Sequence, residues 1–286
     1  MTGLSASERE QWRASVAATV ARCAAAGSWD ALFDLGVADI GLEDLGVAIE
    51  ECGAVPFATP LLGHMFGVRA LRRAPAHRHR VALVLPEGFA LEGGTADTFV
   101  TATGAAIPAS GVTRRPLSTL DPTRVLWRVE WPEPVPELPE RLRSELAALV
   151  AADSIGGARA VLRGAVEYAR QRLQFGRPIG SFQAVKHRLA DISSQLDGAV
   201  AAVGYALRRL DEDAEDASLA ASVAKLAATD AYLAAAEGAI QTYGGIGFTW
   251  EHPAHIYLKR AHTNSQLGGN TERHLELVAD RAGLGD

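Results

Sequence analysis

The feature that most constrains this 286-residue chain is a stretch without proline, residues 140–173. As a helix rising about 1.5 Å per residue it spans roughly 50 Å. A rod of that length needs partners of similar length to bury its apolar stripe. The sequence supplies them: helical patterning returns over 181–210 and 216–243, with shorter segments at 254–262 and 271–281. Gly176-Arg177-Pro178 ends the first rod and Gly244-Gly245 the third, glycine being the usual residue past a helix end; Asp216 is the expected cap of the third. Gly156, Gly157 and Gly164 lower helix propensity, but small residues let a neighbouring helix or ligand come close. Long antiparallel helices with short joins predict a four-helix-type bundle.

Upstream the period changes. Between residues 80 and 133 the apolar runs are short and β-like: 81–85, 99–103 and the alternating 124–131. They end in Trp131-Pro-Glu-Pro-Val-Pro136 and Pro139, an extended linker. Before them the pattern is helical again. Trp12, Val16 and Val20 recur at i+4, Ser28 can cap a short helix, Leu45, Ala48, Ile49 and Cys52 share one face, and a last helix runs over 61–73. The expected fold is mostly α with a small β domain: an N-terminal helical domain (1–75), a reduced middle β domain (76–138) and a C-terminal four-helix bundle (139–286).

Charge and composition exclude several functions. With 28 Lys+Arg against 34 Asp+Glu the net charge is −6, and no basic run marks a nucleic-acid surface. The longest uninterrupted apolar stretches, such as 198–207, are half of what a bilayer-spanning helix needs. The polar start MTGLSASEREQW lacks the features of a secretory signal, and two cysteines, Cys23 and Cys52, are too few for a disulfide scaffold. A cytoplasmic chain is expected. His77/His79 and His252/His255 lack a third metal ligand, so no metal is assigned.

The common cofactor and nucleophile motifs are missing. Gly244-Gly-Ile-Gly247 has neither the third glycine nor the preceding strand of a dinucleotide fingerprint, and there is no P-loop or Gly-x-Ser-x-Gly elbow. Two other segments stand out: Arg172-Leu-Gln-Phe-Gly-Arg-Pro-Ile-Gly-Ser-Phe-Gln183, continuing to Asp191, and Gln241-Thr-Tyr-Gly-Gly-Ile-Gly-Phe-Thr-Trp-Glu-His-Pro-Ala-His255. A diphosphate asks for a cation and close backbone N–H groups, and an adenine or flavin plane asks for an apolar wall. Arg172 offers the fork, Phe175 the wall, Gln183 and Gln241 neutral hydrogen bonds, and Gly244-Gly245 a backbone without Cβ interference.

Both segments resemble motifs of the acyl-CoA dehydrogenase family, R-x-x-F-G…F-Q after one long helix and Q-x-x-G-G-x-G-F after another. The resemblance covers residue 140 to the end. It is weaker but consistent in the amino half, where Leu-Gly…Glu-Glu-Cys-Gly…Pro-Leu-Leu and Leu120-Asp-Pro-Thr-Arg124 also look like family members. It implies that Arg172, Phe175, Gln183, Gln241, Gly244 and Gly245 hold the adenine and diphosphate part of FAD, across a subunit interface.

The family's reaction needs a carboxylate base in a dry site. Most members carry it at the start of an E-G-T-x-E/Q segment, which here reads Gly268-Gly-Asn-Thr-Glu272. A minority carry it on the first long bundle helix, at a position that is Leu146 here. Glu145 is one residue away, a turn of about 100° around the helix. Short, base-less chains of this kind resemble the non-catalytic subunits of heteromeric actinobacterial acyl-CoA dehydrogenases acting on steroid side-chain CoA thioesters. The expected role is therefore that of an accessory subunit in an α2β2 assembly with a homologous catalytic partner that holds most of the acyl-CoA. The alternatives are a self-sufficient homo-oligomer with a relocated base, Glu145 or Glu272, and a flavin-free structural subunit.

Overall fold

A computed structural model describes residues 4–72, 75–76 and 78–284; Arg73 and His77 lie outside the described residues. The amino end is helical because its caps and apolar faces agree. Ser5 and Glu8 form a reciprocal capping box at the start of α1 (Ala6–Ala26). Helix α2 (Asp30–Phe33) follows, then α3 (Leu42–Gly53) and α4 (Leu61–Leu71). Leu45, Ala48, Ile49 and Cys52 of α3 are buried together, as their spacing predicts. Ser28 does not cap α2: Trp29 occupies that position, and the Ser28 hydroxyl donates to the Asp30 carboxylate.

The middle segment forms two small sheets. Strands β1 (Val81–Leu83), β2 (Phe89–Leu91), β3 (Thr98–Val100), β4 (Ala106–Pro108), β5 (Thr113–Pro116) and β6 (Leu126–Glu130) pair as β1-β3-β4 and β2-β6-β5. Only β1 and β3 run parallel; Ala82 faces Phe99 across them, and Ala90 faces Trp127 across β2 and β6. The strands absent from the sequence reading, β2, β4 and β5, have three or four residues each, too few for an alternating pattern to register.

Helix α5 (Glu140–Gln171) is the long rod. The chain is not helical throughout after it, because a hairpin of β7 (Leu173–Gln174) and β8 (Arg177–Pro178) intervenes before α6 (Gln183–Asp211). Helices α7 (Ala217–Tyr243), α8 (Ala254–Gln266) and α9 (Thr271–Arg281) complete the bundle. Asp216 takes the N-cap position of α7 as expected, but its carboxylate makes no capping hydrogen bond; it accepts from Tyr205 Oη and Arg209 Nε, both at 2.7 Å.

Helix α7 corrects the reading of apolar length. With its following turn it forms a 32-residue segment long and apolar enough to span a bilayer, yet 61% of its most apolar window is buried inside the molecule, against α5, α6 and α8. The small residues make this close packing possible. A Cβ on Gly156 would overlap the Glu50 carbonyl of α3, and one on Gly157 the Tyr232 ring of α7.

A buried polar cluster joins the three regions. Arg124, in the turn before β6, pairs with Asp153 of α5, and Asn264 of α8 donates to the same carboxylate at 2.8 Å. Arg260 of α8 donates to Thr123 Oγ1 at 2.7 Å and to the carbonyls of Gly53 and Phe57 at 3.0 and 2.7 Å. Charges this deep are tolerated only when paired and hydrogen-bonded, which fixes how the β segment and α3 sit on the bundle.

Candidate functional site

Helices α5 and α7 run in the same direction. Tyr232 lies beside Gly157 and Tyr243 beside Gly164, and the Tyr168 and Tyr243 rings meet edge-on at 5.0 Å. Their carboxyl ends therefore share one end of the bundle, with the amino end of α6. All six residues singled out from the sequence lie at these helix ends: Arg172 at the end of α5, Phe175 in the hairpin, Gln183 opening α6, Gln241 in the last turn of α7, and Gly244-Gly245 just past it.

The hairpin is built to project. Phe175 (φ 52°) and Gly176 (φ 76°) form the two-residue loop between the paired Gln174 and Arg177, the left-handed geometry of a type I′ turn. A bulky aromatic in that conformation is strained, and such strain collects at functional positions. Phe175 is 91% exposed. Its ring lies 6.1 Å from Phe182, over which Arg177 stacks at 4.3 Å; the sequence reading took Arg177 only as part of a helix stop. Gly244 (φ 64°) and Gly245 have open space where a Cβ would stand. Arg172, Gln183 and Gln241 are exposed, and among the described residues their side chains have no hydrogen-bond partner. The chain thus aligns these groups along one end without joining them to one another.

The residues present fit the adenine and diphosphate half of a dinucleotide such as FAD. A free guanidinium, two amides, an exposed ring and an unobstructed glycine backbone are the donor set that such a group needs.

A cavity of about 460 Å³ opens elsewhere, between the β2/β6 sheet, α5 and the loop from α8 to α9. Both sequence positions considered for a base, Gly268 and Leu146, line it. They are packed together: a Cβ on Gly268 (φ 76°) would stand 3.2 Å from Ala147 Cα and 3.4 Å from Leu146 C. The alternative carboxylates are elsewhere. Glu145 is held by Arg69 Nε at 2.6 Å and Arg141 Nε at 2.7 Å, and Glu272 is exposed in the first turn of α9.

The loop at Gly268 is braced from behind. His274 Nε2 lies 3.1 Å from the Gly268 carbonyl and Nδ1 lies 3.0 Å from Ser222 Oγ. The carbonyl can only accept, so Nε2 carries the proton and Ser222 donates to Nδ1. Burial and the nearby Lys225 ammonium push His274 down to about 4, keeping this neutral tautomer. Burial also pushes Lys225 down to about 8. The only trace of this cluster in the primary sequence is a lysine inside an alanine-rich helix.

Known proteins agree with this architecture. Residues 144–283 match the family described as acyl-CoA dehydrogenase, C-terminal domain. The chain is 38% identical over 247 residues to acyl-CoA dehydrogenase IpdE2 of Mycobacterium tuberculosis, an alignment covering 82% of this chain and 76% of that protein. The fold superposes on a chain of the ChsE4-ChsE5 complex from Mycobacterium tuberculosis with a TM-score of 0.83 at 20% identity, covering both chains completely. It also superposes on the Tcur3481-Tcur3483 steroid ACAD with a TM-score of 0.74 at 23% identity, covering 96% of this chain and 88% of that one. At these identities the two structures speak for the fold, while the near-full-length similarity to IpdE2 carries the assignment: the chain belongs to the acyl-CoA dehydrogenase family.

Proposed function

We propose that this chain is the accessory subunit of a heteromeric, FAD-dependent acyl-CoA dehydrogenase, paired as α2β2 with a homologous subunit that carries the base and holds most of the acyl-CoA. The substrate class is a CoA thioester of a steroid side chain. The observation that carries the reading is that both positions for a base, Gly268 and Leu146, stand side by side on one cavity wall and neither bears a carboxylate. The exposed end of the bundle supports the other half of the reading, because the side chains of Arg172, Gln183 and Gln241 have no hydrogen-bond partner among the described residues.

In this reading Arg172 meets the diphosphate, Phe175 walls the adenine, Gln183 and Gln241 supply neutral hydrogen bonds, and Gly244-Gly245 lets the backbone N–H groups approach. Bound FAD supplies a hydride acceptor for the β-hydrogen of the thioester. This chain's residues hold and orient; removal of the α-proton falls to the partner. The heteromeric and steroid aspects are supported by the ChsE4-ChsE5 and Tcur3481-Tcur3483 likenesses.

The test is Arg172→Ala in the co-purified complex. A charge-assisted diphosphate contact is worth about 1.5–3 kcal/mol, so flavin content after gel filtration falls at least tenfold in apparent affinity while the subunits stay together. Unchanged flavin retention rejects the assignment.

A further inference from the structure

Leu91 of β2 and Leu126 of β6 stand opposite each other in the ladder. Just beyond this pair one residue ties the two strands together. The Glu92 N–H donates to the Val125 carbonyl at 2.8 Å, and the Val125 N–H donates back to Glu92 Oε1 at 3.4 Å. Glu92 has a φ of 57° and opens the tight turn Gly93–Thr95; a left-handed residue with a side chain is uncommon, and such positions collect at switches. Its stem lies against α4, where a Cβ on Gly63 would stand 3.2 Å from Glu92 Cβ and Cγ. The turn that follows rests on an indole: a Cβ on Gly94 would overlap the Trp127 ring, and one on Gly93 would stand 3.1 Å from Trp127 Cβ.

Little around the Glu92 carboxyl holds it ionised. The charged groups that act on it, Arg124 and Asp121, both come from the turn before β6 and oppose each other in sign. Arg124 is engaged by Asp153 of α5, and Asp121 Oδ1 accepts from the Thr123 N–H and Oγ1 at 2.8 and 2.6 Å. From α4 the carboxyl stem meets Gly63, which carries no charge. Burial outweighs the Val125 hydrogen bond and the Arg124 charge and pushes Glu92 up to about 7. The residue as a whole is half-buried, so the carboxylate has a way out to water.

We propose that Glu92 is a proton-controlled latch between β2 and β6: protonated, it stays in its dry pocket and ties the two strands together; ionised, it gives its proton to bulk water, swings out to solvent, frees the Val125 N–H and lets the Gly93–Thr95 turn shift on Trp127. The latch needs neither flavin nor a second subunit, so its failure is distinct from failure of the accessory-subunit reading.

Trp127 is the built-in reporter. Acrylamide quenching of tryptophan emission is followed from pH 5.5 to 8.5 in the full chain, in Glu92→Gln and in Trp127→Phe, all matched in circular dichroism at pH 6. The expected result is a reversible one-proton transition centred near 7, with easier quenching on the alkaline side. Glu92→Gln, which copies the protonated group, keeps the acid-side signal throughout, and Trp127→Phe removes the transition. Amide exchange in the unsubstituted chain gives a reading that needs no variant. One unit above its midpoint about a tenth of the latch remains protonated, so the segment 88–95, corrected for the intrinsic pH effect, loses about tenfold in protection between pH 6 and 8 while 217–243 loses none. A transition that survives in Glu92→Gln, no transition in the unsubstituted chain, or equal loss of protection in both segments overturns the proposal.

Discussion

Gly268 rests on the backbone of Ala147 in a left-handed conformation (φ 76°): a Cβ there would stand 3.2 Å from Ala147 Cα and 3.3 Å from its nitrogen, a tight fit that the helix backbone would have to yield to. The missing base is therefore a property of how the loop packs, not only of which residue occupies the position. Gly268→Glu gains no dehydrogenase activity. Gly268→Ala costs about 1–3 kcal/mol through overpacking and the left-handed φ, read as a lower denaturant midpoint. Thioester oxidation by a well-folded Gly268→Glu chain alone contradicts this.

Phe175 couples strain to contact. Asn-Gly is the preferred pair for the left-handed turn that Phe175-Gly176 now forms. Phe175→Asn is expected to raise stability by up to about 1 kcal/mol, while the complex loses flavin on gel filtration. A variant that loses both stability and flavin would mean that Phe175 is packed for the fold.

The cluster around Asp153 is a structural lock. Asp153→Ala leaves Arg124 buried without its counter-charge and costs about 3–5 kcal/mol. Replacing both partners with apolar residues, Asp153→Leu with Arg124→Met, recovers most of that loss. Urea denaturation of the single and double variants measures the difference.

Acid sensitivity has an identifiable source. Burial pushes both His64 and His274 down to about 4, and His64 Nδ1 accepts the Val81 N–H. The unfolded chain takes up protons near 6.5, before these folded sites do. Their contribution is thus complete above that pH and lost as pH falls toward 4, at about 1.4 kcal/mol per unit of separation. Glu92, pushed up to about 7 by burial, has the opposite sign: its contribution is full below about 4.5 and fades toward 7. A His64→Gln, His274→Gln double variant should flatten the fall in stability between pH 6.5 and 4.

Much of this was legible in the primary sequence. The long bundle helices declare themselves because propensity, glycine stops and period coincide over many turns, as at Gly244-Gly245. The short strands do not, since Phe89–Leu91 is too brief to show alternation and is ordered by pairing with β6. Asp216 stands at the cap position that its residue type predicts, but Tyr205 and Arg209 draw its carboxylate away from the capping hydrogen bond. The six surface residues could be named from their chemistry and the resemblance. The cavity could not: it is assembled from the β sheet, α5 and the loop before α9, segments far apart in the chain. Asp153 offered a faint signal, an acid inside the apolar run of residues 146–155, yet its partner Arg124 lies in a turn with no helical period.

The most direct measurement is a comparison of this chain purified alone with the same chain co-purified with its partner, following absorbance at 450 nm and acyl-CoA oxidation in each. The account predicts a colourless, inactive chain alone and a yellow, active complex. A yellow chain that oxidises acyl-CoA without any partner would contradict it.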